Sequence, residues 1–131
     1  MAKVLFVPGV GDAPKRLIGN LAEDLEKINS SLTLIFPCER RLDSALATGN
    51  YDHLIISNDQ TAHAMRSITS PRIFRQKFQG QIHNVLRLTE KGNAFEAVET
   101  THYGADHAYN VNMNNLRSCI EYQRLLRNIA G

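Results

Sequence analysis

The chain has 131 residues, 43% of them apolar, and a formal charge of +2 at neutral pH. That size suits one domain, residues 1–131, with an ordinary buried core, and so small a charge gives no composition-level case for a nucleic acid or a membrane surface as partner. No run approaches the roughly 18 apolar residues of a membrane span, and the four apolar residues between Lys3 and Pro8 are too few for a secretion signal. Cys38 and Cys119 match no metal or redox spacing and read as unpaired thiols of a reducing cytosol, so the expected location is cytoplasmic.

Charge is uneven along the chain. Between residues 60 and 91, Arg66, Arg72, Arg75, Lys77, Arg87 and Lys91 stand against Glu90 alone. Such a stretch is a solvated face or, more sharply, a surface for an acidic partner or a phosphate.

In chain order, Val4-Leu5-Phe6-Val7 is a wholly apolar, β-rich run stopped by Pro8-Gly9, the pattern of a strand buried on both faces. Asp12 can cap a helix with Pro14 in its first turn, and Leu17, Leu21, Leu25 and Ile28 then recur at helical spacing, predicting a helix over 13–28. Residues 32–36 form a second strand closed by Pro37, residues 41–48 a short helix ended by Gly49, and Leu54-Ile55-Ile56 a third buried strand. Helix is expected over 61–68 and again over 72–78, with Ser70-Pro71 between them. A fourth strand follows over 82–88, a helix over 93–101 and a weak fifth strand over 107–111. Asn114 then caps a last helix whose Leu116, Ile120, Leu126 and Ile129 face the core.

Five alternations of short apolar strand and helix call for a parallel sheet with helices on both sides, a three-layer α/β fold. Ligands of such sheets bind beyond the carboxyl ends of the strands, where strand order reverses. Here that edge comprises residues 8–12, 37–40, 57–60, 87–91 and 110–113.

The stretch "YDHLIISND", residues 51–59, resembles the third strand of the response-regulator receiver domain, with its apolar core and phosphoacceptor aspartate. "VLRLTEKGNAFEAVETTHYGAD" resembles the family's fourth strand, switch threonine, fourth helix and the Gly-Ala-Asp before strand five, and "LRSCIEYQRLLRN" is similar to its last helix. The resemblance covers nearly the whole chain and implies a flavodoxin-like (βα)5 sandwich with strand order 2-1-3-4-5.

The departures from that family bear directly on chemistry. Receivers hold Mg²⁺ with an acidic pair after strand one, where this chain has Pro8-Gly9; Mg²⁺ requires hard oxygen ligands, and Asp12 alone is a poor substitute. With the apolar cores aligned, Asn58 stands at the acceptor position, and an amide cannot form an acyl phosphate. Asp59 lies one residue later, on the opposite face if the strand continues. Val111, followed by Asn112, occupies the place of the family's lysine, and no lysine follows Lys91. Only the switch hydroxyl, Thr89, remains.

Phosphoryl transfer depends on positioning and on charge stabilisation by metal and cation. The resemblance therefore implies a pseudo-receiver: a stand-alone, non-enzymatic module of signalling or regulation that binds a protein partner or a second copy of itself and needs no cofactor. Weak Mg²⁺ or anion binding stays open. Receivers use helix 4, strand 5 and helix 5 for such contacts, which here implicates Tyr109, Arg117, Tyr122, Arg124 and Arg127. An aromatic with arginines on a helix is the composition of an interface anchor, and equally of a snorkelling surface.

Two alternatives stand beside this reading. Gly9-Val10-Gly11-Asp12, between strand and helix, is a place for an anion or nucleotide, with Asn58, Asp59, Thr89 and Asn112 opposite; it lacks both the third glycine of a dinucleotide fingerprint and the Lys-Ser/Thr of a P-loop. The other is a divergent receiver phosphorylated on Asp59. The five histidines, His53, His63, His83, His102 and His107, have no close ligand spacing, so no metal site is expected. Cys38, in the loop after strand two, is a small apolar side chain or a redox thiol at the functional edge.

Overall fold

The computed structural model describes residues 2–7, 12–56, 81–89 and 106–131, with backbone alone for Glu39, Asp43, Arg87, Leu88 and Thr89. Its elements are β1 (Lys3–Val7), α1 (Asp12–Ile28), β2 (Thr33–Ile35), α2 (Glu39–Thr48), β3 (His53–Ile56), β4 (Ile82–Thr89), β5 (His107–Asn112), a 3₁₀ turn (Met113–Asn115) and α3 (Ile120–Ala130). The five strands form one all-parallel sheet in the order β2-β1-β3-β4-β5, the flavodoxin-like order expected. The helices expected over 61–68, 72–78 and 93–101 lie outside the described residues.

Successive residues of a strand point to opposite faces, and β1 supplies both cores. Val4 and Phe6 join Ile55, Leu86, Tyr109 and Val111 beneath α1 and α3, which contribute Leu17, Leu21, Leu25, Tyr122, Leu125 and Ile129. Leu5 and Val7 join Tyr51, Leu54, Ile56 and Val85 on the other face, where α2 contributes Leu46. None of the four apolar residues of β1 is more than 2% exposed, which is why that run is apolar without alternation.

Local signals act as physical chemistry requires. Gly49 takes the left-handed conformation at the end of α2, φ 63°, and its N–H donates to the carbonyl of Leu46. The Gln81 amide donates to the carbonyls of Gly49 at 2.6 Å and Tyr51 at 3.1 Å, holding the turn between α2 and β3 against the start of β4. Asn84, almost fully buried in β4, donates to the Leu54 carbonyl at 3.2 Å, so its polarity is satisfied within the sheet.

The last helix differs from the phase read in the sequence. Asn112, not Asn114, is the capping side chain: its Oδ1 accepts from the Asn114 N–H at 3.0 Å and starts the 3₁₀ turn. α3 begins only at Ile120, with Cys119 at its cap, so the helical phase starts afresh. Tyr122, Leu125 and Ile129 form the buried stripe; Ile120 is 73% exposed, Leu126 is only partly covered, and Leu116 reaches the core from the connection. Ile28, expected on the inner face of α1, is 55% exposed at the helix end.

This phase is testable by urea denaturation. Leu125→Ala should lower the unfolding free energy by about 2–5 kcal/mol, and Ile120→Ala by about 0.5 kcal/mol or less. Comparable losses at both sites would restore the phase read from the sequence.

Candidate functional site

Parallel register sets the last residues of neighbouring strands side by side. Val7 of β1 is paired with Ile56 of β3, and Thr89 of β4 with Asn112 of β5. Because β1 lies between β2 and β3, strand order reverses at the junction of β1 and β3, the place where sheets of this kind leave a crevice. The chain departs from the two sides of that junction into residues 8–11 and 57–60. Gly9, Gly11, Asn58 and Asp59 belong to these segments and lie outside the described residues.

Around the junction, Asp12 is exposed in the first turn of α1, where its carboxylate faces the positive end of the helix dipole. Cys38 is exposed at the cap of α2 and makes no side-chain capping bond. Thr89 ends β4 in register with Asn112, whose side chain already serves the turn that follows it. Val111, at the family's lysine position, is fully buried on the α1 and α3 face.

The aromatic interface candidates require correction. Tyr109 and Tyr122 are core side chains, 2% and 0% exposed, and their rings are not on the surface. The Tyr109 hydroxyl accepts from Asn128 Nδ2 at 2.7 Å, and the Tyr122 hydroxyl donates to Asp24 Oδ2 at 2.6 Å across the α1–α3 contact. Burial, then the hydrogen bond and charge of Asp24, push the Tyr122 phenol far above its ordinary range, so it stays a donor. Arg117, Arg124 and Arg127 are exposed. Arg117 lies 3.4 Å from Asp24 and Arg124 3.0 Å from Glu121.

The sequence reading gave no role to a polar group at the opposite, amino-terminal edge. The Tyr51 hydroxyl lies 3.3 Å from Nε2 of buried His83, and burial raises the Tyr51 pKa, so the phenol keeps its proton. The Asp106 carboxylate accepts from the His83 backbone N–H at 2.7 Å, and that of Asp52 from the Lys3 backbone N–H at 2.8 Å. His53, half-buried, has its Nδ1 shut from solvent with no hydrogen bond among the described residues. The signal in the sequence was His83-Asn84 beside the apolar Val85-Leu86 in one strand, a polar pair that has to be satisfied where it is buried.

Among the described residues no three His, Cys, Asp or Glu side chains are grouped to hold a metal ion, and no helix is long and apolar enough to cross a membrane. The chain matches no model of a known protein family, and no curated protein is significantly similar to it.

Burial lowers the pKa of His53, and the nearby charge of His107 adds to this, while Asp52 opposes it. Its contribution to stability is therefore complete above the unfolded value of about 6.5 and is lost as pH falls from there through the lowered folded value. Chemical denaturation across this window should show stability falling on acidification, and the slope should flatten in His53→Gln. A variant with the same slope as the wild type would remove His53 as the cause.

Proposed function

We propose that this chain is a receiver-like interaction module that works without phosphorylation, in the cytoplasm, as a component of signalling or regulation. The observation that carries the reading is the end of β5 within a sheet of order 2-1-3-4-5. Where a phosphorylatable receiver extends a lysine toward its phosphoryl group, this chain buries Val111 and commits the Asn112 side chain to a turn. Pro8-Gly9 in place of the acidic pair and Asn58 at the acceptor position support the same conclusion. Phosphoryl transfer relies on a metal, a cation and an acceptor carboxylate to stabilise the moving charge, and the family's positions for these hold Pro8-Gly9, Val111 and Asn58 here.

A module of this kind acts by occupying a protein surface. With Tyr109 and Tyr122 inside the core, the contact surface on the last helix is its outer stripe, Gln123, Arg124 and Arg127, which suits a partner with acidic groups. Arginine carries such contacts well because its planar donors match carboxylates in pairs.

Incubation with acetyl phosphate and Mg²⁺ should leave the intact mass unchanged, and beryllofluoride should leave the amide spectrum unchanged. A phosphoryl adduct that disappears in Asp59→Asn would overturn the reading. In pull-downs from native cells, Arg124→Glu with Arg127→Glu should lose the bound partner while the circular dichroism spectrum is retained. Undiminished capture by that variant would move the contact away from α3.

A further inference from the structure

We infer that the outer edge of β2, unpaired among the described residues, is a self-pairing surface that joins two copies of this chain across a two-fold axis. β2 is the outer strand of the sheet. The Thr33 N–H donates inward to the Ala2 carbonyl at 3.0 Å, so the N–H and C=O of Leu34, one residue on, point away from β1 toward the free edge. Natural sheets guard such an edge with charges, a proline inside the strand or a bulge. β2 is kept short, at three residues, but has none of these, and the whole run from Ile28 to Cys38 carries no charged side chain.

The apolar exposure lies at this same edge. Of the three large hydrophobic side chains exposed among the described residues, Ile28 and Phe36 flank β2, at 55% and 57% exposure. They lie on one face. Leu32 and Leu34 pack against the core beneath α1, and the Phe36 ring stacks on Phe6 of that core, centroids 4.7 Å apart and planes 7° from parallel. Ile28 ends α1 itself.

An antiparallel pair centred on Leu34 makes this edge complementary to itself. Leu34 meets Leu34 of the second copy as a hydrogen-bonded pair that exchanges two N–H···O=C bonds. Phe36 falls opposite Leu32 of the second copy, beside its Ile28, and the reciprocal contact forms by symmetry. Opposed residues in such a pair share a face, so all eight apolar side chains gather on the α1 side. Charge favours the same occupant, because a two-fold axis sets each segment against its own copy: a charged edge would repel itself, whereas this uncharged one does not. Pro37 limits the pairing to a short segment, and the two-fold closes it, so the product is a dimer and not a filament.

Sedimentation across a concentration series from micromolar to millimolar should show a monomer–dimer equilibrium. Ile28→Glu, which places two like charges at the junction from an exposed helix end, should weaken the dimer at least about tenfold. Leu34→Pro, which removes the outward N–H, should abolish it. The Leu34 Cα atoms would be about 5.5 Å apart, within the disulfide range of about 4.4–6.8 Å. With Cys38 and Cys119 replaced by Ser, Leu34→Cys should therefore cross-link under mild oxidation, and Ile120→Cys should not. A chain that stays monomeric throughout, a dimer indifferent to Ile28→Glu, or cross-linking at Ile120 equal to that at Leu34 would each overturn the proposal. Ile28→Glu keeps the test decisive if Leu34→Pro fails to fold.

Discussion

Parallel pairing is the constraint from which most of this molecule follows. Parallel strands cannot be joined by a tight turn, so each connection crosses over the sheet, and the covered strands lose solvent on both sides. β1 and β3 therefore spend nearly every side chain on packing: Val4 to Val7 and Leu54 to Ile56 are all buried. These stretches of β1 and β3 offer no room for chemistry on either face. What remains available are the two ends of the sheet, its outer strands and the outward stripes of the helices, and the features with functional content lie there.

The same constraint explains where polarity survives inside. Gln81, His83 and Asn84 bring three polar residues to the start of β4, with only Ile82 between them, each largely buried, and the sheet holds them by hydrogen bonds to backbone, to Tyr51 and to Asp106. A polar group buried without a partner costs more than its hydrogen bond would contribute. These residues thus fix the register of β4 against β3 more narrowly than an apolar strand would, because a slip of one position would turn His83 and Asn84 to opposite faces without their partners.

Elements whose signal is local were legible in the sequence. All five strands fall within a residue or so of where apolar runs and their proline or glycine stops put them, and α1 and the Gly49 stop of α2 follow from spacing and backbone stereochemistry. The last helix was not legible in the same way. Its phase depends on a break at the 3₁₀ turn that no glycine or proline announces. The two tyrosines were misread for a related reason. Tyrosine is amphipathic, and the groups that draw Tyr122 inward, Asp24 and the apolar face of α1, lie about a hundred residues earlier in the chain. At the candidate site, the adjacency of the strand ends at residues 7 and 56 could be anticipated from topology, whereas the commitment of the Asn112 side chain to a turn could not.

The hydrogen bond between Tyr122 and Asp24 spans 98 positions of the chain, and it seals α1 beneath α3. Until the last helix has emerged from the ribosome, Leu17, Leu21 and Leu25 lack the Tyr122, Leu125 and Ile129 side chains that share their core. The contacts between the two helices thus close a loop of 98 positions, and long loops of this kind add to the entropy that folding must overcome. During synthesis the apolar stripe of the first helix consequently awaits its lid, and transiently exposed surface of that kind is what chaperones shield.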